Sequence, residues 1–397
     1  MVQLVDIRRA PWALVIAAVA VCVPGLDDVT AAQRLNLGQA DIVADGVEHF
    51  HLDDPALVDP KGPISVHVLR IDPTRVRLES ALAQSEVMGR ETVLETARRH
   101  EAIAAVNAGF FEPSGDPTGV LKVAGELVSD ASRPRGVVAI LDSESDGPQR
   151  LVFDRLTVSA TATFAIDGVR HTHPIAGVDT TRLRGHLMLF TPRYHEHTDT
   201  APAGTEWSIS GSPATVQTRR SGVGKTPIPE DGFVLSFGGV DPPAPLDRLG
   251  EGVAVEIDYE FRSALGTPAD VWREANHIVG GAGLLLHDGT PVDDWTPERF
   301  RDGFTTERHP RTLVGCDAHG AIWLIAVDGR EPDRSVGMTF AELQRLAVRV
   351  GLRDALNLDG GGSTTFVIGD RVVNDPSDAT GPRPVSDSLL VVARAGR

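Results

Sequence analysis

The stretch Asn357-Leu358-Asp359-Gly360-Gly361-Gly362-Ser363-Thr364-Thr365-Phe366 sets three glycines between two apolar, strand-like runs. Strand interiors avoid consecutive glycines, which lose the most backbone freedom on folding and pack nothing. The triplet therefore predicts a tight reversal where something approaches the main chain closely. A carboxylate, hydroxyls and a carboxamide surround it, which favours a ligand over another strand.

Working outward, residues 321–327 read as a strand that ends on Asp328-Gly329-Arg330. Thr339-Phe340-Ala341-Glu342 is a capping box, threonine at the N-cap and glutamate three residues on. It opens a helix whose core face is Phe340, Leu343, Leu346, Ala347 and Val350, and Gly351 suits a left-handed stop. Residues 355–358 form the next strand, so strand, helix and strand follow in order and predict a parallel crossover. Asp328 and Asp359 would then stand at the carboxyl ends of two strands, where open α/β sheets bind ligands. Beyond the glycines, Gly369-Asp370 between residues 364–368 and 371–373 is a hairpin signal.

Upstream, residues 64–71 and 75–82 read as paired strands around the turn Asp72-Pro73-Thr74. Residues 91–100 read as a helix, and 102–106 as a buried strand running into Asn107-Ala108-Gly109. The middle, 151–239, is rich in β-branched residues, glycine and proline and reads as several short strands. The expected class is α+β, a single domain (63–397) built on mixed β-sheets with a few packed helices. Residues 33–62 read as a loop region.

Residues 1–32 read as a signal peptide: Arg8 and Arg9 precede an apolar run from Trp12 to Val23, too short to span a bilayer comfortably. Retention as an anchor is the alternative. Removing this segment leaves Cys316 alone, which excludes an internal disulfide in the mature monomer and reads as a small buried residue. With 397 residues, 41% hydrophobic, the chain can bury a sizeable core. A formal net charge of -17 argues against nucleic acid and anionic membranes as general partners. Aromatic content of 5% gives no broad base-stacking surface.

Weaker patterns carry less. Gly222-Val223-Gly224-Lys225-Thr226 lacks the first glycine of a P-loop, since Arg219 holds that position, and no helical run follows. His171/His173 and His195/His197 have strand-face spacing without a clear third metal ligand. No Gly-x-Ser-x-Gly elbow surrounds Ser363.

The stronger pattern is convergence at strand ends. Asn107, Glu112, Asp328, Asp359, Asn374 and Asp387 supply acids and amides. Arg311, Arg330, Arg334 and Arg383 supply planar cations suited to phosphate, and Gly360, Gly361 and Gly362 offer backbone N–H groups to an anion. A carboxyl pair flanking a sugar, beside arginines holding a phosphate, is what cleavage of a sugar–phosphate bond needs.

These segments, in order, resemble the phosphodiester glycosidase family. The resemblance runs through Ala105-Val106-Asn107-Ala108-Gly109-Phe110-Phe111, Gly280-Gly281-Ala282-Gly283-Leu284-Leu285 and His287-Asp288-Gly289. It continues through Arg308-His309-Pro310-Arg311-Thr312, Val327-Asp328-Gly329-Arg330, Gly337-Met338-Thr339 and the 355–366 block. It closes on Val373-Asn374-Asp375-Pro376-Ser377-Asp378 and Arg383-Pro384-Val385-Ser386-Asp387. The resemblance implies hydrolysis between a sugar anomeric carbon and a phosphodiester, by a secreted, bare catalytic domain. Its substrate would be a small sugar phosphate or glycan. No cofactor is required on this reading; a structural cation such as calcium stays an open alternative.

Asp359 and Asp328 are the leading catalytic carboxylates, with Glu112 the competing acid. Arg311, Arg330 and Arg383 would hold phosphate. Asn107, Gly109, Asn357, Gly360, Gly361, Gly362, Ser363, Thr364, Asn374 and Asp387 would line the substrate site. Two other classes stay open: a metal-dependent phosphodiesterase attacking phosphorus, and a non-catalytic module that binds cell-wall or exopolysaccharide glycans.

Overall fold

The crossover expected around the glycine triplet forms, with one strand inserted into it. The structure, a computed structural model, describes residues 34–143 and 147–394; the expected signal peptide at 1–32 lies outside them. Strands Ile322–Val327 and Leu352–Asn357 run parallel to one another, but Arg311–Asp317 lies between them and pairs antiparallel with both. Among the described residues every pairing between strands is antiparallel, so these sheets are not mixed. The sequence shows the helix between the two strands but not the earlier strand that returns to separate them.

Three short α-helices are described, α1 (Val93–Arg99), α2 (Ala269–Glu274) and α3 (Phe340–Val350). The remainder is mostly β, in sheets of eight, seven, four and five strands, so the α+β expectation is corrected toward β. Helix α3 begins as its sequence dictates. The Thr339 hydroxyl accepts the Glu342 N–H at 3.2 Å, and the Glu342 carboxylate accepts the Thr339 N–H at 2.9 Å. Such a cap contributes about 1 kcal/mol. Phe340, Leu343, Leu346, Ala347 and Val350 are all buried, against Leu285, Leu313, Ile325 and Ala355 of the eight-stranded sheet. Burying a side chain of the Leu or Phe type contributes roughly 1.5–3 kcal/mol, so packing holds this helix far more than its cap does. Gly351, at φ 98°, ends it.

Two other expectations change. Strands Val66–Ile71 and Val76–Leu82 are not partners: the first pairs with Val47–Leu52 and Ile322–Val327, the second with Asp387–Ala393. The Asp72 turn therefore carries the chain from the eight-stranded sheet into the five-stranded one. The region 33–62, read as loop, contributes the hairpin Asp41–Ala44 and Val47–Leu52 to the edge of the eight-stranded sheet. The middle region forms several short strands as expected, after one long one, Arg150–Ile166. The Gly369-Asp370 hairpin forms as expected.

Candidate active site

Two sheets end together beside the glycine triplet. In the eight-stranded sheet, Arg311 is in register with Val327, and Leu313 with Asn357, so Asp328 and Asp359 leave the sheet at the same end. In the five-stranded sheet, Ser388 pairs with Asn107 and Phe366 with Val106.

Asn107 fastens the two ends to each other. Its side-chain N–H donates to the Asp359 carbonyl at 2.7 Å, while its oxygen accepts from the Thr312 hydroxyl at 2.7 Å and the Thr365 N–H at 3.2 Å. Asn107 is fully buried, so its amide positions the Asp359 loop from within the protein. Asn357, also buried, donates to the carbonyls of Ala282 and Leu358 at 2.8 and 2.7 Å. Thr364 is buried behind the same turn.

The Asp359 carboxyl is partly exposed and bends back onto its own turn, accepting the Gly360 N–H at 2.8 Å. Burial pushes its pKa up to about 6; the Ser363 hydroxyl, the Gly360 N–H and Arg383 favour the charged form, and Asp387 opposes it. Asp387 is buried and its own pKa is raised by burial, with oxygens accepting from the Ser386 hydroxyl at 2.6 Å and the Gly109 N–H at 3.1 Å. Gly109 thus holds Asp387.

The glycines admit arginines. A Cβ on Gly361, whose φ is 62°, would stand 2.8 Å from the Arg330 guanidinium. One on Gly362 would meet Arg383 and Asp378 head-on, and one on Gly360 would reach the Pro310 carbonyl at 2.6 Å. The Gly360 N–H goes to Asp359 and the Gly361 N–H to the Pro310 carbonyl at 2.9 Å. The N–H groups expected to cradle an anion are therefore used within the turn for two of the three residues. The guanidinium groups pressed on the turn bring the positive charge instead.

Arg330 is exposed, sits at the left-handed φ of 66° and donates to the Ser377 hydroxyl at 3.4 Å. Arg383 pairs with Asp378 at 2.8 Å and reaches the Ser363 hydroxyl at 3.4 Å. Arg334 is exposed and paired with Asp375. Arg311 differs from these. It is 2% exposed, donates to the carbonyls of Met338, Phe304 and Glu307 at 2.9, 2.8 and 3.0 Å, and stacks on Phe340 at 4.7 Å. Burial, then the neighbouring Arg330, pulls its pKa down to about 10. Its guanidinium ties the 304–307 loop to the sheet end.

Asp328 lies in an adjoining cavity of about 690 Å³, lined also by His49, His51, His67, Asn374 and Asp375. Its Oδ1 accepts from the Asn374 amide at 2.9 Å and the Asp375 N–H at 3.0 Å, and its Oδ2 from the Ser65 hydroxyl at 2.8 Å. Burial raises its pKa, and these three donors work against that. The same Asn374 amide donates to the Thr364 carbonyl at 3.1 Å, which places Asp328 one side chain from the glycine turn. The sequence alone does not single out Ser65 and His51. The period-two spacing of His49 and His51, opposite His67 in the next strand, is the signal that was available.

Glu112 is exposed and stands with Asp116, in a loop leading to a different acidic cluster. The His287-Asp288-Gly289 segment turns at the other end of the sheet, by Asp354. In His195-Glu196-His197 the donor atoms fall within 4.8 Å of one another, but the His197 Nδ1 accepts the Asp199 N–H at 3.1 Å, which leaves the proton on Nε2. Cys316 is partly buried and burial pushes its thiol up to about 12, far from a nucleophile.

A sequence profile described as phosphodiester glycosidase matches residues 203–392, a span that takes in Arg311, Asp328, Arg330, Arg334, Asp359, Arg383 and Asp387. Over that span, just under half of the chain, the sequence resembles the phosphodiester glycosidase family. It is 40% identical over 68 residues to N-acetylglucosamine-1-phosphodiester alpha-N-acetylglucosaminidase of Bos taurus, which is 17% of this chain and 12% of that protein. It is 36% identical over 84 residues, 21% of this chain and 13% of the other, to the prophage-derived protein YomE of Bacillus subtilis (strain 168). The chain thus spans about an eighth of these curated relatives in matched sequence. Its fold is that of a hypothetical protein from Synechocystis, with a TM-score of 0.74 at 22% identity, over 90% of this chain and 64% of that one.

Proposed function

We propose that the chain hydrolyses the bond between a sugar's anomeric carbon and a phosphodiester. The observation that carries this is the Asp359 turn: a partly exposed carboxyl with its pKa near 6, on glycines against which Arg330 and Arg383 are packed. The arginines would hold the phosphodiester, and Asp359 beside them would give a proton to the bridging oxygen as it leaves. Asp328, its oxygens oriented by three donors, would take a proton from water as that water's oxygen bonds to the anomeric carbon. One C–O bond forms and one breaks, giving a free sugar and a phosphomonoester. This division of roles requires acid and base on opposite faces of the ring, and the anomeric configuration would then invert.

The name of the bovine relative makes an α-linked N-acetylglucosamine 1-phosphodiester the first substrate to try. Export from the cytoplasm, expected from residues 1–32, belongs to this reading. No helix among the described residues is long and apolar enough to cross a membrane. NMR of the reaction on a panel of sugar 1-phosphodiesters tests the assignment. The expected products are free sugar, first as the inverted anomer, and an intact phosphomonoester. Release of sugar 1-phosphate would place attack at phosphorus and overturn it. Asp359→Asn and Asp328→Asn should each lower kcat by about 10²–10⁴-fold, with unchanged circular dichroism.

A further inference from the structure

The Asp328 carboxyl is 4% exposed, so a proton it takes up needs a way out that does not pass through bound substrate. Two chains of polar side chains lead from its Oδ2 toward the surface. The first runs through the Ser65 hydroxyl, which donates to Oδ2 at 2.8 Å and lies 3.2 Å from the Nε2 of His51. His51 is exposed. The second runs through His67, whose Nε2 is 4.0 Å from Oδ2 and whose Nδ1 is 3.1 Å from the Nε2 of His49.

Geometry separates them. At 4.0 Å the first link of the His67 path is not a hydrogen bond. Burial, with His51 and His49 adding to it, also pushes the His67 pKa down to about 3, so this ring resists taking a proton. The Ser65 path has hydrogen-bond distances at both links, and a hydroxyl both donates and accepts. The pairing of the strands fixes this arrangement: His51 stands directly opposite His67 in neighbouring strands, and Ser65 immediately precedes the second of them.

We propose that Ser65 and His51 form a proton wire that carries the proton taken up by Asp328 out to solvent. This rests on the reading of Asp328 as the base that activates water. At rest the Ser65 hydroxyl donates to the Asp328 carboxylate. Once Asp328 has taken a proton from water, that proton passes to the Ser65 oxygen while Ser65 gives its own to the Nε2 of His51. The exposed imidazole then loses its other ring proton to solvent. Ser65 and His51 are positioning residues that act through Asp328. The other charged groups facing the cavity, Asp53, Asp375 and Arg334 paired with Asp375, stand outside the two-link path.

The test uses the full chain on a sugar 1-phosphodiester that it turns over. His51→Ala should lower kcat by about tenfold or more, within the range of acid–base effects, with KM little changed and the solvent deuterium isotope effect on kcat increased. Added imidazole should restore His51→Ala. Ser65→Ala should lose as much and resist rescue, and Ser65→Thr, which keeps the hydroxyl, should retain activity. Wild-type kcat in both His51→Ala and Ser65→Ala, with Asp328→Asn inactive, overturns the wire and leaves the base assignment standing. Wild-type kcat in Asp328→Asn overturns both. Imidazole rescue of His67→Ala, with His51→Ala unaffected, overturns the wire in favour of the other path.

Discussion

Two groups of carboxyls whose pKa values burial raises differ in what surrounds them. Asp359 and Asp387 lie at the joined sheet ends, with Arg383 among the charges acting on Asp359 and Arg330 packed on the next glycine. Asp116, Asp130 and Asp179 form the second group. The Thr191 N–H and hydroxyl both donate to Asp179 at 2.6 Å, and the Thr180 hydroxyl donates to Asp116 at 2.5 Å. Burial pushes Asp116 and Asp130 up to about 6 and raises Asp179 well above its ordinary value, and the leading charges acting on Asp179 are the other two carboxyls. A raised carboxyl pKa therefore does not by itself mark a catalytic site. What distinguishes Asp359 is positive charge placed to meet a phosphate.

The sharpest way to break that distinction is to remove the cation. Arg383→Ala should lower kcat/KM by about 10²–10³-fold, the scale of losing one charge-stabilising group. It should also move Asp359, because Arg383 favours the charged carboxylate. Without it the pKa rises above about 6. If Asp359 is the proton donor, the fall in kcat/KM on the alkaline side shifts to higher pH in this variant. A pH–rate profile that loses height with no shift would show that Arg383 binds substrate without tuning Asp359.

Arg311 sharpens the same contrast from the opposite side. From sequence it is one more cation near the glycine block, and its burial depends on Phe304, Met338 and Phe340, brought together only by the fold. Arg311→Ala leaves three carbonyls without their donor and should cost about 3 kcal/mol of stability, measured by urea unfolding. A phosphate ligand would instead raise KM with little change in stability, and that result would return Arg311 to the site. Local pattern made much of the rest legible. The capping box of α3, its apolar face, the Gly369-Asp370 hairpin and the placement of Asp328 and Asp359 beyond strand ends all follow from short-range rules. Strand partnership did not, because a strand's alternation shows which residues share a face and not which strand lies beside it. That is why Ser65 and His51 stayed hidden, and why Asp72 read as a hairpin turn.

The smallest effect belongs to the second acidic group and reads its charge state. Each of its carboxyls has a folded pKa above the ordinary 3.8, so between that value and the folded pKa the native state binds more protons than the unfolded chain. Stability is then greatest below pH 3.8 for these groups and falls as pH rises through about 6, where Asp116 and Asp130 ionise. Asp179→Asn keeps an acceptor for Thr191 and removes one charge from the cluster. It should leave stability near pH 4 almost unchanged and raise it at pH 8 by on the order of 1 kcal/mol, with turnover unaffected. Urea midpoints at the two pH values decide the matter. A variant less stable at pH 8 than the wild-type chain would mean that ionised Asp179 is held by a positive partner, and the two acidic groups would then be alike in the respect that separates them.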